Sequence, residues 1–93
     1  MDRFKQIETF VRVAEAGSLA AALEEGVSPV ILGRRIDALE KRIGVKLMYR
    51  STRRLVISED GAAFLNRCKN LLADWDQAEN ELAAGRRAVG GHI

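Results

Sequence analysis

The stretch Ser28-Pro29-Val30-Ile31-Leu32-Gly33-Arg34-Arg35-Ile36-Asp37-Ala38-Leu39-Glu40-Lys41-Arg42-Ile43-Gly44 carries the signals of one complete helix. Ser28 can cap the first backbone N–H groups, Pro29 suits the first helical position, and Gly44 suits a left-handed exit. Four apolar residues at spacings of 4, 3 and 4 predict one buried stripe: Leu32, Ile36, Leu39 and Ile43. The opposite side is formed by Val30, Arg34, Asp37 and Lys41. One side is thus expected to dock on a core while the other offers a cation near the helix start.

A helix with this outer face suits the major groove of DNA, where the N-terminal residues of such a helix reach base edges. Arg34 is the best candidate to read a base, since a guanidinium pairs bidentately with guanine O6 and N7. The alternative is a solvent-exposed Arg34 bridged to Asp37. Arg35, closer to the stripe, is expected to lie along a phosphate, and Ser28 is expected to offer the helix N-terminus to another. Taken alone, the helix also fits an ordinary surface helix with solvated charges, so its neighbours decide.

Charge is distributed unevenly along the 93 residues. The net charge is only +2, yet between Arg34 and Arg54 there are 8 basic residues against 2 acidic ones. Residues 59–93 hold 4 basic and 6 acidic residues. A basic block beside an acidic segment indicates a site for a polyanion joined to a segment with another role.

Several classes of function are excluded by what the chain lacks. Cys68 is the only cysteine and His92 the only histidine, which argues against disulfides, metal sites and histidine-based catalysis. The first fifteen residues are too charged for a secretory signal, and no apolar run reaches the length of a membrane span. The expected location is the cytoplasm.

The segment before the quoted stretch predicts two further helices. Residues 2–16 show helical spacing of Phe4, Ile7, Phe10, Val11 and Ala14, and Gly17 ends that helix. Ser18 is a plausible N-cap for a short second helix from Leu19 to Glu25, with Leu19, Ala22 and Leu23 facing inward. Helix, short glycine-containing turn and helix with a basic outer face form the helix-turn-helix pattern.

After Gly44 the hydrophobic period changes to that of strands. Residues 45–50 alternate, residues 51–54 are polar and turn-like, and Leu55-Val56-Ile57 suits a returning strand. The result is a small hairpin, the wing of a winged-helix domain. Its tip arginines, Arg50, Arg53 and Arg54, are expected to supply salt-dependent affinity through phosphates or a narrow minor groove. The alternative is that they only keep the surface soluble.

The last element is predicted to be a long helix that starts at the N-cap Ser58. An apolar seam with spacings of 4, 3, 4, 3 and 4 runs along it: Phe64, Cys68, Leu71, Trp75, Ala78 and Leu82. Leu65 and Leu72 form a second stripe, expected to pack back on the winged domain. A helix of about 25 residues spans roughly 37 Å, too long for a small domain to cover. The seam therefore predicts pairing of two copies, against the alternative of one helix folded on its own core. Cys68 is expected to be a seam residue rather than a redox sensor, and Gly85 is expected to end the helix.

With these elements in place, the chain resembles the N-terminal DNA-binding region of LysR-type bacterial transcriptional regulators over about residues 2–90. The segments that carry the resemblance are 10–18, 20–22, 27–29, 36–47, 50–55 and 58–61. The resemblance implies a homodimer through the long helix, usually a tetramer in the full-length protein, and a C-terminal effector-binding domain of periplasmic-binding-protein type outside this chain. It places DNA contacts on Ser28, Pro29, Val30, Gly33, Arg34 and Arg35 of the helix and on Arg50, Thr52 and Arg53 of the wing. Gly33 stands where the family commonly has Ser.

The sequence therefore predicts a mainly α fold: a winged helix-turn-helix of three helices and a two-stranded wing, followed by a long dimerisation helix. The expected boundaries are 1–57 for the DNA-binding domain, 58–86 for the dimerisation helix and 87–93 for the start of a linker. The expected function is sequence-specific binding of double-stranded DNA by a homodimer, with no cofactor and no metal. The alternative is a protein–protein adaptor assembled through the long helix. An enzyme is remote, since the chain offers no nucleophile–base pair.

Overall fold

The computed structural model describes residues 2–20, 22, 26–50 and 54–90, with side chains described as far as residue 85. Its elements in chain order are α1 (Arg3–Ala16), α2 (Pro29–Ile43), β1 (Met48–Arg50), β2 (Leu55–Ile57) and α3 (Glu59–Gly90). Within the described residues, three helices and a two-stranded antiparallel wing confirm the mainly α winged fold. No helix within the described ranges is both long enough and apolar enough to cross a membrane.

The quoted stretch forms α2 with the predicted ends. Ser28 accepts a hydrogen bond from the Ile31 N–H at 3.3 Å, and Gly44 ends the helix with a φ of 75° and its N–H donating to the Glu40 carbonyl at 2.8 Å. Three members of the predicted stripe are almost completely buried: Leu32, Ile36 and Leu39. The fourth, Ile43, is 40% exposed, so the buried stripe ends one turn before the helix does.

Helix α1 supplies the opposite wall of the core. Phe10 and Val13 are completely buried, and the polar residues Gln6 and Thr9 are buried beside them. The expected inward face is therefore rotated slightly toward Val13, while Phe4, Ile7 and Ala14 are only partly buried. Thr9 accepts a hydrogen bond from Arg35 across the interface between the two helices, so its hydroxyl has a partner there.

The predicted short second helix falls largely outside the described residues. Leu19 and Ala20 lie in a turn and Ala22 in a bend, while Ala21 and residues 23–25 are not among those described. Leu19 packs on the core and Ala22 is completely buried, in agreement with their predicted inward orientation. The helix itself stays a prediction.

The wing is the antiparallel pair β1 and β2, with Met48 opposite Ile57, Tyr49 opposite Val56 and Arg50 opposite Leu55. Period-2 alternation puts Met48 in the core and leaves Tyr49 and Val56 exposed on the outer face. The tip, residues 51–53, is outside the described residues.

Helix α3 begins where it crosses the segment before the wing. Ser58 is its N-cap as predicted, accepting from the Gly61 N–H at 2.9 Å, and the Ser58 hydroxyl lies within hydrogen-bond distance of the Lys46 and Leu47 carbonyls. A Cβ on Gly61 would come 2.0 Å from the Leu47 carbonyl oxygen. Only glycine permits this backbone approach, and it anchors the base of the long helix.

Two expectations about α3 are wrong. Gly85 does not end the helix, which continues to Gly90, since a glycine inside a helix costs only about 1 kcal/mol relative to alanine and its neighbours are good helix formers. Cys68 is not on a face open to a partner: it is 1% exposed and belongs to the core of its own chain. Phe64 also turns inward, with its ring centroid 5.7 Å from that of Phe10. Leu65 and Leu72 pack on the same core, as predicted.

Candidate nucleic-acid interface

The outer face of α2 is open to solvent along its whole length, as the helical spacing predicts. Val30 is 65% exposed, and Arg34, Asp37 and Lys41 are exposed as well. Ser28 and Pro29 at the start of the helix are also exposed, so its N-terminus is accessible. The face combines an apolar side chain, two cations, one anion and the positive end of a helix dipole.

Arg34 is exposed on the outer face of α2, and its base-reading role stays a prediction. Among the described residues its side chain has no hydrogen-bond or ion-pair partner. The alternative of a bridge to Asp37 is not what the structure shows, because the Asp37 carboxylate pairs with Arg50. Arg34 is therefore exposed in the first half of the helix, with no hydrogen bond or ion pair to another described side chain.

Arg35 has an internal contact. It is half-buried, and its Nη1 donates to the Thr9 hydroxyl at 3.3 Å. This bond ties α2 to α1 and orients the helix on the core. The expected contact of Arg35 with a phosphate stays a prediction.

Arg50 lies against α2 and does not extend from the wing toward solvent. Its Nη1 donates to the Gly33 carbonyl at 3.3 Å, and its Nη2 pairs with the Asp37 carboxylate. The side chain is only 23% exposed, against 58% for that of Asp37. In this structure both terminal nitrogens of the guanidinium are engaged by the helix. The expected contact of Arg50 with the DNA backbone stays a prediction.

Gly33 is buried beneath that guanidinium. A Cβ at this position would lie 2.9 Å from Arg50 Nη1 and 3.5 Å from Leu19 Cδ1. The missing side chain of Gly33 makes room for Arg50. The base-reading contact expected of Gly33 stays a prediction.

Glu40 holds the wing to α2, a role that sequence reasoning missed. Its Oε2 accepts from the Leu47 N–H at 2.8 Å and the Met48 N–H at 3.2 Å, and its Oε1 lies 3.6 Å from Lys46 Nζ. Asp37 and Glu40 are the two acids within the basic block, and both bind the wing. The sequence did carry a signal for this role, because Asp37 and Glu40 are one helical turn apart on the side of α2 that leads into the wing.

The remaining contacts predicted in the wing are Thr52, Arg53 and Arg54. Arg54 is exposed directly before β2, while Thr52 and Arg53 lie outside the described residues. Tyr49 is exposed on the outer face, with Lys46 Nζ 6.0 Å from its ring centroid. In the described part of the chain no three His, Cys, Asp or Glu residues come together to ligate a metal ion.

The distal part of α3 presents a second exposed surface, the apolar stripe formed by Leu71, Trp75, Ala78 and Leu82. Trp75 is 52% exposed and Leu82 is 67% exposed. One side of the Trp75 ring contacts Phe4 of α1, with centroids 5.5 Å apart. The stripe is what remains of the predicted seam after Phe64 and Cys68 turn into the core.

Comparisons with known sequences agree with this geometry. The family described as "Bacterial regulatory helix-turn-helix protein, lysR family" matches residues 4–62. An HTH-type transcriptional repressor of Pseudomonas aeruginosa (strain UCBPP-PA14) is 37% identical over 94 residues, covering 100% of this chain and 30% of the repressor. The HTH-type transcriptional regulator DmlR of Escherichia coli (strain K12) is 36% identical, covering 94% of this chain and 29% of DmlR. The chain thus spans less than a third of these curated relatives.

Solved structures resemble the chain over most of its length. The crystal structure of the CbnR_DBD-DNA complex has a TM-score of 0.81 at 35% identity, covering 91% of this chain and 98% of that one. The BenM_DBD/catB site 1 DNA complex has a TM-score of 0.82 at 26% identity, covering 90% and 93%. Both similar structures are complexes with DNA.

Proposed function

The chain belongs to the LysR family of bacterial regulatory helix-turn-helix proteins, and we propose that it binds a specific double-stranded DNA site as the DNA-binding domain of a transcriptional regulator. The observation that carries the proposal is the open outer face of α2 beside the wing, in a fold similar to that of domains solved in complex with DNA. Helix α2 enters the major groove, and the wing follows the flanking minor groove and backbone.

The start of α2 does the reading and the positioning. Arg34 pairs with guanine O6 and N7, which is worth about 1–3 kcal/mol of discrimination against another base. Val30, one turn earlier on the same face, contacts an apolar base edge such as the thymine methyl group. Ser28 and Pro29 bring the positive end of the helix dipole to a phosphate. Arg54, with Thr52 and Arg53, supplies affinity through the backbone, and Arg35 lies at the core edge of the same face.

Two copies of the chain bind the DNA together through the apolar stripe on α3, each meeting one half of an interrupted palindrome. The support is the exposure of Trp75 and Leu82 on a helix that outruns its own core. In the full-length protein we expect a tetramer, and an effector acts through a C-terminal domain. We expect the regulator to work in the cytoplasm, where its operator lies.

The alternative of a protein–protein adaptor is not favoured. The curated relatives are transcriptional regulators and not enzymes, and structures similar to this chain were solved with DNA. An adaptor also has no need of a basic outer helix face. The two readings differ in their dependence on salt, because binding to phosphates releases counterions and binding to a neutral protein surface does not.

The test is selection of bound duplexes from a random DNA pool, followed by titration of the selected duplex and a scrambled one over a salt series. We expect affinity that falls steeply with salt and a clear preference for the selected duplex. In the same assay, Arg34→Ala should lose the preference and keep most of the nonspecific binding. Equal loss on both duplexes would make Arg34 a phosphate contact, and salt-independent binding without preference would overturn the proposed function.

A further inference from the structure

The side chain of Arg50 joins the wing to the recognition helix α2 at two points. Nη1 donates to the Gly33 carbonyl and Nη2 pairs with the Asp37 carboxylate, four residues further along the same helix. We propose that Arg50 keeps these two contacts in the DNA complex, where it is a positioning residue that sets operator specificity and not a ligand of phosphate. This inference rests on the proposed DNA binding.

The absence of a side chain at Gly33 makes these two contacts of Arg50 possible. A side chain there would begin 2.9 Å from Arg50 Nη1, a distance that real Cβ contacts essentially never reach. The second neighbour, Leu19 Cδ1, would be at 3.5 Å, an ordinary van der Waals contact. A methyl group at position 33 would therefore displace the guanidinium and leave the rest of the packing undisturbed.

The ion pair with Asp37 stabilises Arg50 in its position on α2. This carboxylate lies on the outer face of α2, on the side that carries Arg34 and Lys41. Without a partner it would face the DNA backbone as an uncompensated negative charge and weaken binding to every sequence. Paired with Arg50, it contributes no net charge to the interface, and the pair has no counterion to exchange with a phosphate.

The geometry of the contact also fixes direction. A planar guanidinium that bridges a carbonyl and a carboxylate has a defined orientation, which a single charge on a flexible stem does not have. Glu40 fastens the base of the wing to α2 through the Leu47 and Met48 N–H groups, and Arg50 fastens the end of β1. With both attachments the wing and the base-reading face move as one unit, so loss of Arg50 misaims Arg34.

The experiment uses the 93-residue chain, with dissociation constants measured on the selected and scrambled duplexes over a potassium chloride series. Arg54→Gln calibrates the behaviour of a backbone contact. For such a contact we expect the slope of log K against log salt to become shallower by about 0.9 per protomer, with equal loss on both duplexes. Thermal melting of each variant checks that the fold is retained.

Arg50→Lys is the sharpest single change, because lysine keeps the charge and binds phosphate well but cannot bridge two groups. We expect the ratio of specific to nonspecific affinity to fall about tenfold, comparable to one mismatched base pair, with binding to the scrambled duplex unchanged. A phosphate ligand would instead tolerate lysine on both duplexes, and that result would overturn the inference.

Gly33→Ala displaces Arg50 without altering any charge. We expect the preference for the selected duplex to fall by a similar factor, while the salt dependence becomes steeper by about 0.9 per protomer as the released guanidinium finds a phosphate. If the preference for the selected duplex and the slope of log K against log salt are both unchanged, the contacts of Arg50 with α2 have no role in recognition.

The charge-neutral pair Asp37→Asn with Arg50→Gln completes the test. If Arg50 remains on α2 in the complex, this double variant keeps the wild-type salt slope and loses specificity. If it matches Arg54→Gln, Arg50 is a backbone ligand and the inference fails while the proposed function stands. Failure of the wild-type chain to bind DNA in a salt-dependent manner would instead remove the proposed function.

Discussion

The two halves of α3 carry one continuous apolar repeat but lie in different surroundings. In the proximal half, Cys68 is 1% exposed in the core, and Phe64 packs on Phe10. In the distal half, Trp75 is 52% exposed and Leu82 is 67% exposed. The Trp75 ring contacts Phe4 of α1. The same residue period thus serves a core at one end and a bare surface at the other.

The difference teaches that a heptad pattern specifies which residues share a face and leaves open what covers that face. Among the described residues, the core of the chain reaches along α3 as far as Leu72, and Phe4 of α1 contacts one side of Trp75 just beyond it. Beyond that point the apolar stripe is exposed, and we propose that a second copy covers it. Predictions can therefore be made for each half separately, and mutations that act on one half should leave the other intact.

The largest effect is expected from Trp75→Asp, which puts a charge in the centre of the apolar stripe. We expect a monomer by sedimentation and a loss of operator affinity of about a hundredfold or more, because two linked half-site contacts become independent. The change also removes the contact with Phe4, so Leu82→Asp is the matched control: it lies on the stripe with no aromatic contact to α1. A dimer that survives both changes would show that the stripe is not the interface.

The next effect concerns the proximal half, where Gly61→Ala should destabilise the fold itself. The added methyl group would overlap the Leu47 carbonyl oxygen, 2.0 Å away, and force the helix start off the wing. We expect a loss of about 3 kcal/mol in the free energy of unfolding, measured by urea denaturation at low protein concentration. Gly85→Ala is the control, since a Cβ there meets nothing within 4 Å and should stabilise the helix slightly.

The ends of α2 and the start of α3 could be predicted from the sequence because capping is local. Ser28 acts within three residues of its partner, Ser58 within three, and Gly44 within four. A short stretch of sequence contains both members of each such interaction. The two strands of the wing, but not their register, followed similarly from alternation and β-branched residues.

The positions of Cys68 and Arg50 could not be predicted because their partners are distant along the chain. Cys68 is covered by the core formed with α1, more than fifty residues earlier, and nothing in the local spacing separates it from Leu71. Arg50 looked like one more cation of a basic block, yet Asp37 thirteen residues earlier holds it. Long-range packing and pairing decided both positions.

Leu71 and Leu72 are neighbours in sequence and give a smaller, sharper comparison. Leu72 packs on the core, whereas Leu71 is 53% exposed on the apolar stripe. We expect Leu72→Ala to lower the unfolding free energy by about 1–2 kcal/mol, below the range for a fully buried leucine, without changing the dimer dissociation constant. Leu71→Ala should do the reverse, weakening the dimer in sedimentation and leaving the melting of the dilute protein nearly unchanged. The same response from both would mean that the helix is rotated from the orientation described.

The last prediction compares the chemical reactivity of two thiols, and it is expected to involve the smallest change in stability and DNA binding. Burial raises the pKa of Cys68 from 9.0 to about 11, so at pH 8 little thiolate is available and the core also shields it. Because the thiol of the folded chain holds its proton more tightly than an unfolded one, its contribution to stability is complete below pH 9 and is lost as the pH rises toward 11.

Ala78→Cys in a Cys68→Ala background places a thiol on the exposed stripe. It should react with an aromatic disulfide reagent at least tenfold faster at pH 8 than native Cys68, and form a cross-linked dimer on oxidation where the two helices meet. Rapid labelling of native Cys68 at pH 8 would show that the proximal half of α3 opens readily, and the contrast between the two halves would then be one of degree.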